Sequence, residues 1–441
     1  MKNLLFLLAD QFRFDALGAE NPLVQTPHLD ALAEAGARFT RAYTPLPVCA
    51  PARHALYTGR HPDSFGAYWN YGFFPTPPIS PEGAWPRALK AMGYSCGFIG
   101  KWNVSPADGP EAFGYDTVVS AAQYSDGGAQ YTGGWLGCES PVPLEQAKTH
   151  WLADRAIEFI GAQRGPWHLF VDIGMPHLPC RPSAPFSRMY DPAAIPEWPG
   201  WNDTFENKPF AHEQQAWNWN LEAMPWAEMA GQVARYYGMV SQIDDAIGRI
   251  LRHVDLRDTL VVFTSDHGDM CGNHRMLDKH CTLYQDIVRV PLILAGPGVE
   301  AQVNDNLVSN CLDLPVTLAS LLGFAPPEGA HGQSLFGPAR KTITSSGNGQ
   351  QFGMFNSRMI TDGHLKYVWN LTDIDELYDL DADQGECRNL IRERYDSPAL
   401  KALRADLYAD LKAHGDPFIR HGWLDGQLLG ERKHKPWRES Q

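Results

Sequence analysis

Short apolar runs alternate with longer amphipathic stretches along the chain up to about residue 330. The apolar runs have the length of buried strands, and we expect them to form the central parallel strands of a sheet: Leu4 to Ala9, Cys96 to Ile99, His168 to Ile173, Thr259 to Thr264 and Val290 to Leu294. The stretches between them have helical spacing: His28 to Ala37, Trp85 to Met92, Leu144 to Ala162, Ala227 to His253 and Leu312 to Leu321. This alternation predicts an α/β fold with a large doubly wound sheet, mixed or parallel, flanked by helices.

The pattern changes after about residue 331. Short segments there predict a smaller antiparallel sheet covered by a terminal helix near Pro398 to Ala413; the segments are Thr342 to Ser346, Gly353 to Thr361, Leu365 to Asn370 and Glu376 to Leu380. A chain of 441 residues can hold one large α/β domain and a smaller one. We therefore predict a main domain over residues 1–330 and a C-terminal subdomain over residues 331–441.

Composition excludes several classes of protein. The net charge is −14 and no basic run exceeds a few residues, so we expect no nucleic acid and no membrane surface as a partner. The first ten residues superficially resemble a signal peptide, but Asp10 and Arg13 interrupt the apolar run, which indicates a buried first strand instead. The eight cysteines form no Cys-x-x-Cys pair, so we predict reduced thiols and a cytoplasmic location.

Polar side chains follow several of the predicted strands at the point where each strand ends. They are Asp10 and Gln11 after the first strand, Lys101 after the second, His177 after the third, and Asp266 with His267 after the fourth. Ligands of open α/β sheets bind at the carboxyl ends of the strands. The sequence therefore predicts a site at this edge that combines carboxylates, an amide, imidazoles and an ammonium group.

A separate segment, Cys49-Ala50-Pro51-Ala52-Arg53, adds a thiol and a guanidinium. Pro51 suits the first position of a helix, and Gly59 is placed to end that helix. The start of such a helix favours an anion beside residue 49, and Arg53 offers a planar fork of donors for sulfate or phosphate oxygens. The alternative for Cys49 is a buried structural thiol.

These segments together resemble the type I sulfatases, the formylglycine-dependent family of the alkaline phosphatase superfamily. The signature is Cys-x-Pro-x-Arg followed by Thr58-Gly59, and it is joined by Ala9-Asp10-Gln11 and by Ser265-Asp266-His267-Gly268. Similar positions extend to Glu376-Leu377-Tyr378-Asp379-Leu380, so the resemblance covers most of the chain.

The resemblance implies a cofactor and a set of catalytic residues. It implies that an activating enzyme oxidises Cys49 to formylglycine, whose hydrate is the nucleophile, and that Arg53, Lys101, His177 and Lys279 surround the sulfate. It also implies one divalent metal ion held by Asp10, Gln11, residue 49, Asp266 and His267. Oxygen-rich ligation favours Ca²⁺ or Mg²⁺, and the imidazole makes Mn²⁺ an alternative.

Three further positions are candidates for contact with the substrate, namely Asn70, Asn103 and His274. Many sulfatases have histidine at the position of Asn103, where it is assigned as the base that breaks down the sulfated intermediate, and asparagine cannot accept a proton at neutral pH. Either His177, Lys101 or water does that work, or the substrate has changed. Phosphonate monoester hydrolases share this departure and are the main alternative. A catalytically silent relative that only binds anions is another, and a metal-dependent phosphatase or mutase of the same superfamily is a further one, which would normally need Ser or Thr as nucleophile.

We expect the substrate to be a small sulfated molecule, namely a sugar or glycan fragment, and the second partner to be the formylglycine-generating or another sulfatase-maturing enzyme. The segment from Leu178 to Trp226 is rich in tryptophan and irregular in pattern. It predicts either an aromatic rim for a sugar or a hydrophobic cluster that packs the segment down.

Overall fold

The computed structural model describes residues 2–71, 76–279, 282–349, 355–420 and 422–430. The strands are β1 Asn3–Asp10, β2 Ala37–Tyr43, β3 Ser95–Gly100, β4 Thr117–Ser120, β5 Trp167–Pro176, β6 Thr259–Ser265, β7 Arg289–Ala295, β8 Gln302–Asn304, β9 Val308–Ser309, β10 Ile343–Asn348, β11 Asn356–Thr361, β12 Leu365–Asn370 and β13 Glu376–Asp379. The α-helices are α1 Pro27–Glu34, α2 Cys49–Thr58, α3 Trp85–Ala91, α4 Lys148–Ala162, α5 Phe210–Trp219, α6 Trp226–Leu251, α7 Gln285–Val288, α8 Asn310–Leu322, α9 Pro398–His414 and α10 Gly422–Leu428.

Nine strands form the large sheet, in the order β4-β3-β5-β1-β6-β7-β2-β8, with β9 also paired to β2. The five strands from β4 to β6 run parallel, which confirms the predicted α/β class. The prediction of a parallel strand at Val290 to Leu294 is wrong, because β7 runs antiparallel to β6. In the described part of the connection between β6 and β7, no long helix crosses the sheet face, and the chain returns from the edge where β6 ended.

Alternate residues of β1 face the two sides of the sheet, as strand geometry requires. Leu5, Leu7 and Ala9 pack with α1, α4 and α6, whereas Leu4, Phe6 and Leu8 pack with α2, α3 and α8. Both faces of β1 are therefore apolar, which explains why its sequence does not alternate between apolar and polar residues.

The segment from Leu178 to Trp226 contains α5 and a packed tryptophan cluster. Trp198 and Trp201 each meet the ring of Trp226 edge-on, at centroid distances of 6.2 and 5.3 Å. The guanidinium of Arg275 lies 3.7 Å from the ring centre of Trp201, which is buried. These contacts favour the packing alternative for this segment.

The second sheet is antiparallel, in the order β10-β11-β12-β13, and α9 packs on it, as predicted. Gly353 of the predicted second strand lies outside the described residues, and β11 begins at Asn356. The division at residue 331 stays a prediction. At this boundary the backbone N–H of His331 donates to Gly59 O, in the region of the large sheet, at 2.7 Å.

The small sheet is bonded to the segment that precedes β7. The ammonium of Lys366, on β12, donates to Leu283 O and to Glu386. The other carboxylate oxygen of Glu386 accepts the backbone N–H of Gln285 at 2.7 Å. The C-terminal region thus supports residues 283–285 directly.

Among the described residues, no helix combines the length and the apolar character needed to cross a lipid bilayer.

One histidine in the core makes the stability of the protein depend on pH. His168, on β5, is fully buried between the rings of Trp85 and Tyr115, and burial lowers its pKa to about 3. The folded protein therefore keeps this ring neutral, while the unfolded chain takes up a proton as the pH falls below the ordinary value of 6.5. Its contribution to stability is present above pH 6.5 and is lost as the pH falls.

We expect His168→Gln, which cannot titrate, to remove about 2 kcal/mol of the stability loss between pH 7.5 and pH 5. Urea unfolding of both proteins at each pH measures this difference. Exposed His253, replaced in the same way, is the control and should leave the pH dependence unchanged. An identical pH dependence in His168→Gln and the parent protein would contradict the assignment.

Candidate functional site

The thiol of Cys49 lies at the start of α2, whose entry is held by a side chain. The backbone N–H of Ala50 donates to Oδ1 of Asn70 at 2.9 Å, and the helix ends at Gly59, which has φ +67°. Pro51 is the third residue of α2 rather than the first, which was the predicted position. The missing N–H of Pro51 still removes no hydrogen bond of the helix, because the N–H groups of the first turn have no acceptor within a helix.

Arg53, one turn into α2, bonds three carboxylates from three neighbouring strands. Its Nη2 lies 3.1 Å from Asp10 at the end of β1, and its Nε lies 3.1 Å from Asp266, directly after β6. Its Nη1 lies 2.9 Å from Asp172 on β5. All four side chains are almost completely buried, so these contacts exclude water and fix α2 against the edge of the sheet.

Four donor groups, one of them the thiol of Cys49, meet at this edge of the sheet. Asp10, Cys49, Asp266 and His267 each place one potential ligand atom within 4.8 Å of the others, and all four are buried. Cys49 Sγ lies 3.2 Å from His267 Nε2 and 3.7 Å from Asp10 Oδ1.

The imidazole of His267 is oriented for ligation. Its Nδ1 donates to Gly268 O at 2.9 Å, so Nε2 faces the cluster. Two carboxylates, an imidazole and the oxygen of a modified residue 49 suit a divalent cation. These residues therefore fit the implied metal ion.

Gln11 is the fifth predicted metal ligand, and its backbone is unusual. Its φ of +72° is rare for a residue other than glycine and is the kind of local strain found at functional sites. Its amide nitrogen bonds Asp269, and its Oε1 accepts from Lys279 Nζ at 3.2 Å. Gln11 thus lies at the cluster with its carbonyl oxygen directed to a cation of the site.

Three cationic or imidazole side chains complete the site. Lys101 bonds Asp10 through its ammonium group. Lys279 Nζ lies 2.8 Å from Nε2 of His177, whose Nδ1 lies 2.9 Å from Leu178 O. The residues predicted as catalytic therefore lie together.

The electrostatics of the site favour negative charge at residue 49. Burial and the nearby Asp10 act to raise the pKa of Cys49, but Lys279, Lys101 and His267 outweigh them and the pKa is well below its ordinary value. For Asp10, burial acts to raise the pKa, but the charges of Lys101, His177, Arg53 and His267 outweigh it and hold the pKa well below the ordinary value. Burial raises the pKa of Asp172 to about 7 despite the contact with Arg53.

The three positions predicted to contact the substrate have different surroundings. Asn70 lies next to Cys49 through its bond to Ala50, and Asn103 is half-buried in the segment after β3. His274 is fully buried in another cluster, where it bonds Asp203 at 2.7 Å and stacks on Tyr284 at 3.9 Å. The structure does not bring His274 to the Cys49 cluster.

Asp172 is a residue of this site that sequence reasoning missed. A carboxylate inside an otherwise apolar strand was the available signal, because a buried charge requires a partner. Here that partner is Arg53.

Comparisons with known proteins show what this chain is similar to. A family model described as Sulfatase matches residues 2–324. The chain is 28% identical to an uncharacterized sulfatase, YidJ, of Escherichia coli (strain K12), over 99% of this chain and 90% of that protein. It is 30% identical to an ulvan-active sulfatase of Formosa agariphila, over 76% of this chain and 64% of that protein. Among solved structures it resembles the phosphonate monoester hydrolase of Agrobacterium radiobacter, with a TM-score of 0.80, 23% identity, and coverage of 94% of this chain and 96% of that one.

The three carboxylates around Arg53 should make its charge essential for stability. We expect Arg53→Met to lower the free energy of unfolding by about 3–5 kcal/mol, because it leaves buried carboxylates without their partner. Arg53→Lys, which keeps the charge, should lose clearly less. Urea unfolding in the presence of EDTA measures both, and equal losses in the two variants would contradict this role of the charge.

The donor cluster should also make the stability of the protein respond to divalent ions. After treatment with EDTA, adding Ca²⁺, Mg²⁺ or Mn²⁺ should raise the Tm, since ion at a hundred times its Kd stabilises by about 2.7 kcal/mol. Asp266→Asn should abolish this rise, whereas the exposed control Asp305→Asn should keep it. A rise of the same size in Asp266→Asn would exclude this cluster as the metal site.

Proposed function

The chain belongs to the sulfatase family, and from this premise we propose that it hydrolyses a sulfate monoester on a small sugar through formylglycine made from Cys49. The observation that carries the proposal is the position of Cys49. Its Sγ is grouped with ligand atoms of Asp10, Asp266 and His267, and the charges of Lys279, Lys101 and His267 lower its pKa.

Two groups would supply chemistry that the twenty amino acids lack. Formylglycine would supply a hydrated aldehyde whose second hydroxyl allows release of sulfate, and a divalent ion held by Asp10, Gln11, Asp266 and His267 would stabilise negative charge on oxygen. The activating enzyme that makes formylglycine is then a required partner of this chain.

The protein's own residues perform the other tasks. Lys101 and Lys279 place two ammonium groups beside residue 49, where they offset the charge of the sulfate and the charge that grows in the transition state. Arg53 positions Asp10 and Asp266 through bonds of 3.1 Å.

The hydrogen-bonded pair of Lys279 and His177 holds a proton that it can donate to the departing alcohol oxygen. Asn103 cannot act as a base. We therefore assign His177 as the base that breaks down the sulfated intermediate. That role makes His177 a catalytic residue in this proposal.

The substrate class and compartment follow from weaker observations. The relative from Formosa agariphila is an ulvan-active sulfatase, and net negative charge disfavours long polyanions over small sulfated molecules. The cysteines of the described residues are all free thiols, which suits the cytoplasm.

Hydrolysis of a phosphonate monoester or phosphodiester is the alternative. It is favoured by Asn103 in place of histidine and by the similarity in fold to the Agrobacterium radiobacter hydrolase. Both reactions would use the same nucleophile, so only the substrate distinguishes them.

We expect purified protein carrying formylglycine, verified by mass spectrometry of the residue-49 peptide, to hydrolyse an aryl sulfate. Its kcat/KM for the sulfate should exceed that for the matched aryl phosphonate ester. In Cys49→Ala, kcat/KM for the aryl sulfate should fall by at least about a thousandfold, because the nucleophile is absent. A strong preference for the phosphonate ester would establish the alternative, and unchanged activity in Cys49→Ala would exclude both.

A further inference from the structure

A cavity of about 350 Å³ opens beside the site. Its walls include Tyr124, Asp126, Tyr131, Lys148, Met175 and Arg181. Met175 precedes His177 by two residues, and the ammonium of Lys148 is near enough to Lys101 and Asp172 for their charges to act on its pKa. The cavity is therefore a neighbour of the Cys49 cluster.

Arg181 presents a cation to this cavity without a counterion. Its guanidinium lies 4.3 Å from the ring centre of Tyr131. Among the described parts of the chain it forms no ion pair or hydrogen bond, and its Nε is buried without an acceptor. A buried N–H of a guanidinium without a partner is costly, and an anionic ligand would satisfy it.

Lys148 is the second cation in the wall and begins α4. Burial lowers its pKa and the charge of Lys101 lowers it further, while Asp172 acts in the opposite direction. Within residues that the structure describes, it has no carboxylate in ion-pair contact. An incoming anion would therefore relieve repulsion between Lys148 and Lys101.

One carboxylate, Asp126, also lines the cavity and is already engaged. Its Oδ1 accepts the backbone N–H of Gly128 at 3.1 Å, and it is hydrogen-bonded to the Tyr131 side chain. The cavity wall therefore contains two cations and one carboxylate that is already hydrogen-bonded to the protein, although the whole chain has a net charge of −14.

We propose that this cavity is a second anion subsite, which binds a carboxylate or second sulfate on the same sugar as the sulfate that is cleaved. The inference rests on the proposed function and names its substrate as a doubly anionic sugar. The volume lies near the lower end of the range for small-molecule pockets, about 300–1,000 Å³, which suits one sugar unit rather than a chain. The rings of Tyr124 and Tyr131 provide apolar wall for the face of that sugar.

The test compares three sets of substrates: monosaccharides with one sulfate, the same sugars with an added carboxylate, and the same sugars with a second sulfate. For the parent protein, kcat/KM should be at least tenfold higher for one of the doubly anionic sets, mainly through KM. Which set is preferred identifies the anion. Arg181→Gln and Lys148→Met should each reduce this preference by tenfold or more.

The matched control is Arg188→Gln. Arg188 is an exposed arginine on the same segment, paired with Glu139 outside the cavity, and its loss should leave the preference unchanged. Calorimetry on Cys49→Ala, which cannot turn the sugar over, gives a second readout. In that background Arg181→Gln should weaken binding of the preferred sugar about tenfold, which separates loss of binding from loss of folding or modification.

The two proposals fail in different ways. Hydrolysis of an aryl sulfate without any preference for a doubly anionic sugar overturns the subsite and leaves the proposed function standing. A preference that survives in both Arg181→Gln and Lys148→Met also overturns the subsite. If no sulfate ester is hydrolysed by protein that carries formylglycine, the proposed function fails and the subsite fails with it.

Discussion

The guanidinium of Arg53 bonds carboxylates that come from β1, β5 and the end of β6, and the rest of the site depends on these contacts. Three buried acids at one sheet edge would otherwise repel one another in a medium that screens charge poorly. Because Arg53 lies on α2, the same contacts place residue 49 at the edge of the sheet. The same contacts thus neutralise the acids and position residue 49.

The other cations are placed on top of this arrangement. Lys101 follows β3 and Lys279 lies in the connection between β6 and β7, so they come from opposite sides of the central strands. Their positive charges favour negative charge at residue 49, although the net charge of the whole chain is negative. A protein with a net charge of −14 can therefore hold an anion at one internal point, because a buried pocket is screened less than the surface.

In the large sheet, the strands that sequence analysis predicted are apolar runs such as β1, β5 and β6, which are buried on both faces and have no competing explanation. β2 was missed because Arg38 and Arg41 interrupt it, and Ala37 was instead assigned to the preceding helix. The direction of β7 depends on a connection without periodicity, which no local pattern encodes. The site residues at strand ends were predictable from the sequence. Asp172 was not, because it lies within an apolar strand. His274 has a left-handed backbone, φ +53°, and stacks on Tyr284, which no sequence pattern indicated.

The bonds from Lys366 and Glu386 to residues 283–285 have a consequence for how this protein can diverge. In the sequence those residues follow closely after Lys279, whose ammonium group acts on Cys49, so we expect a shift of β12 to move Lys279 as well. The small sheet therefore supports a segment that lies close to the site in the sequence, and we expect that it cannot be exchanged freely. Exchanges of this region between homologues would have to preserve the lysine–glutamate pair or move it as a unit with the segment it supports.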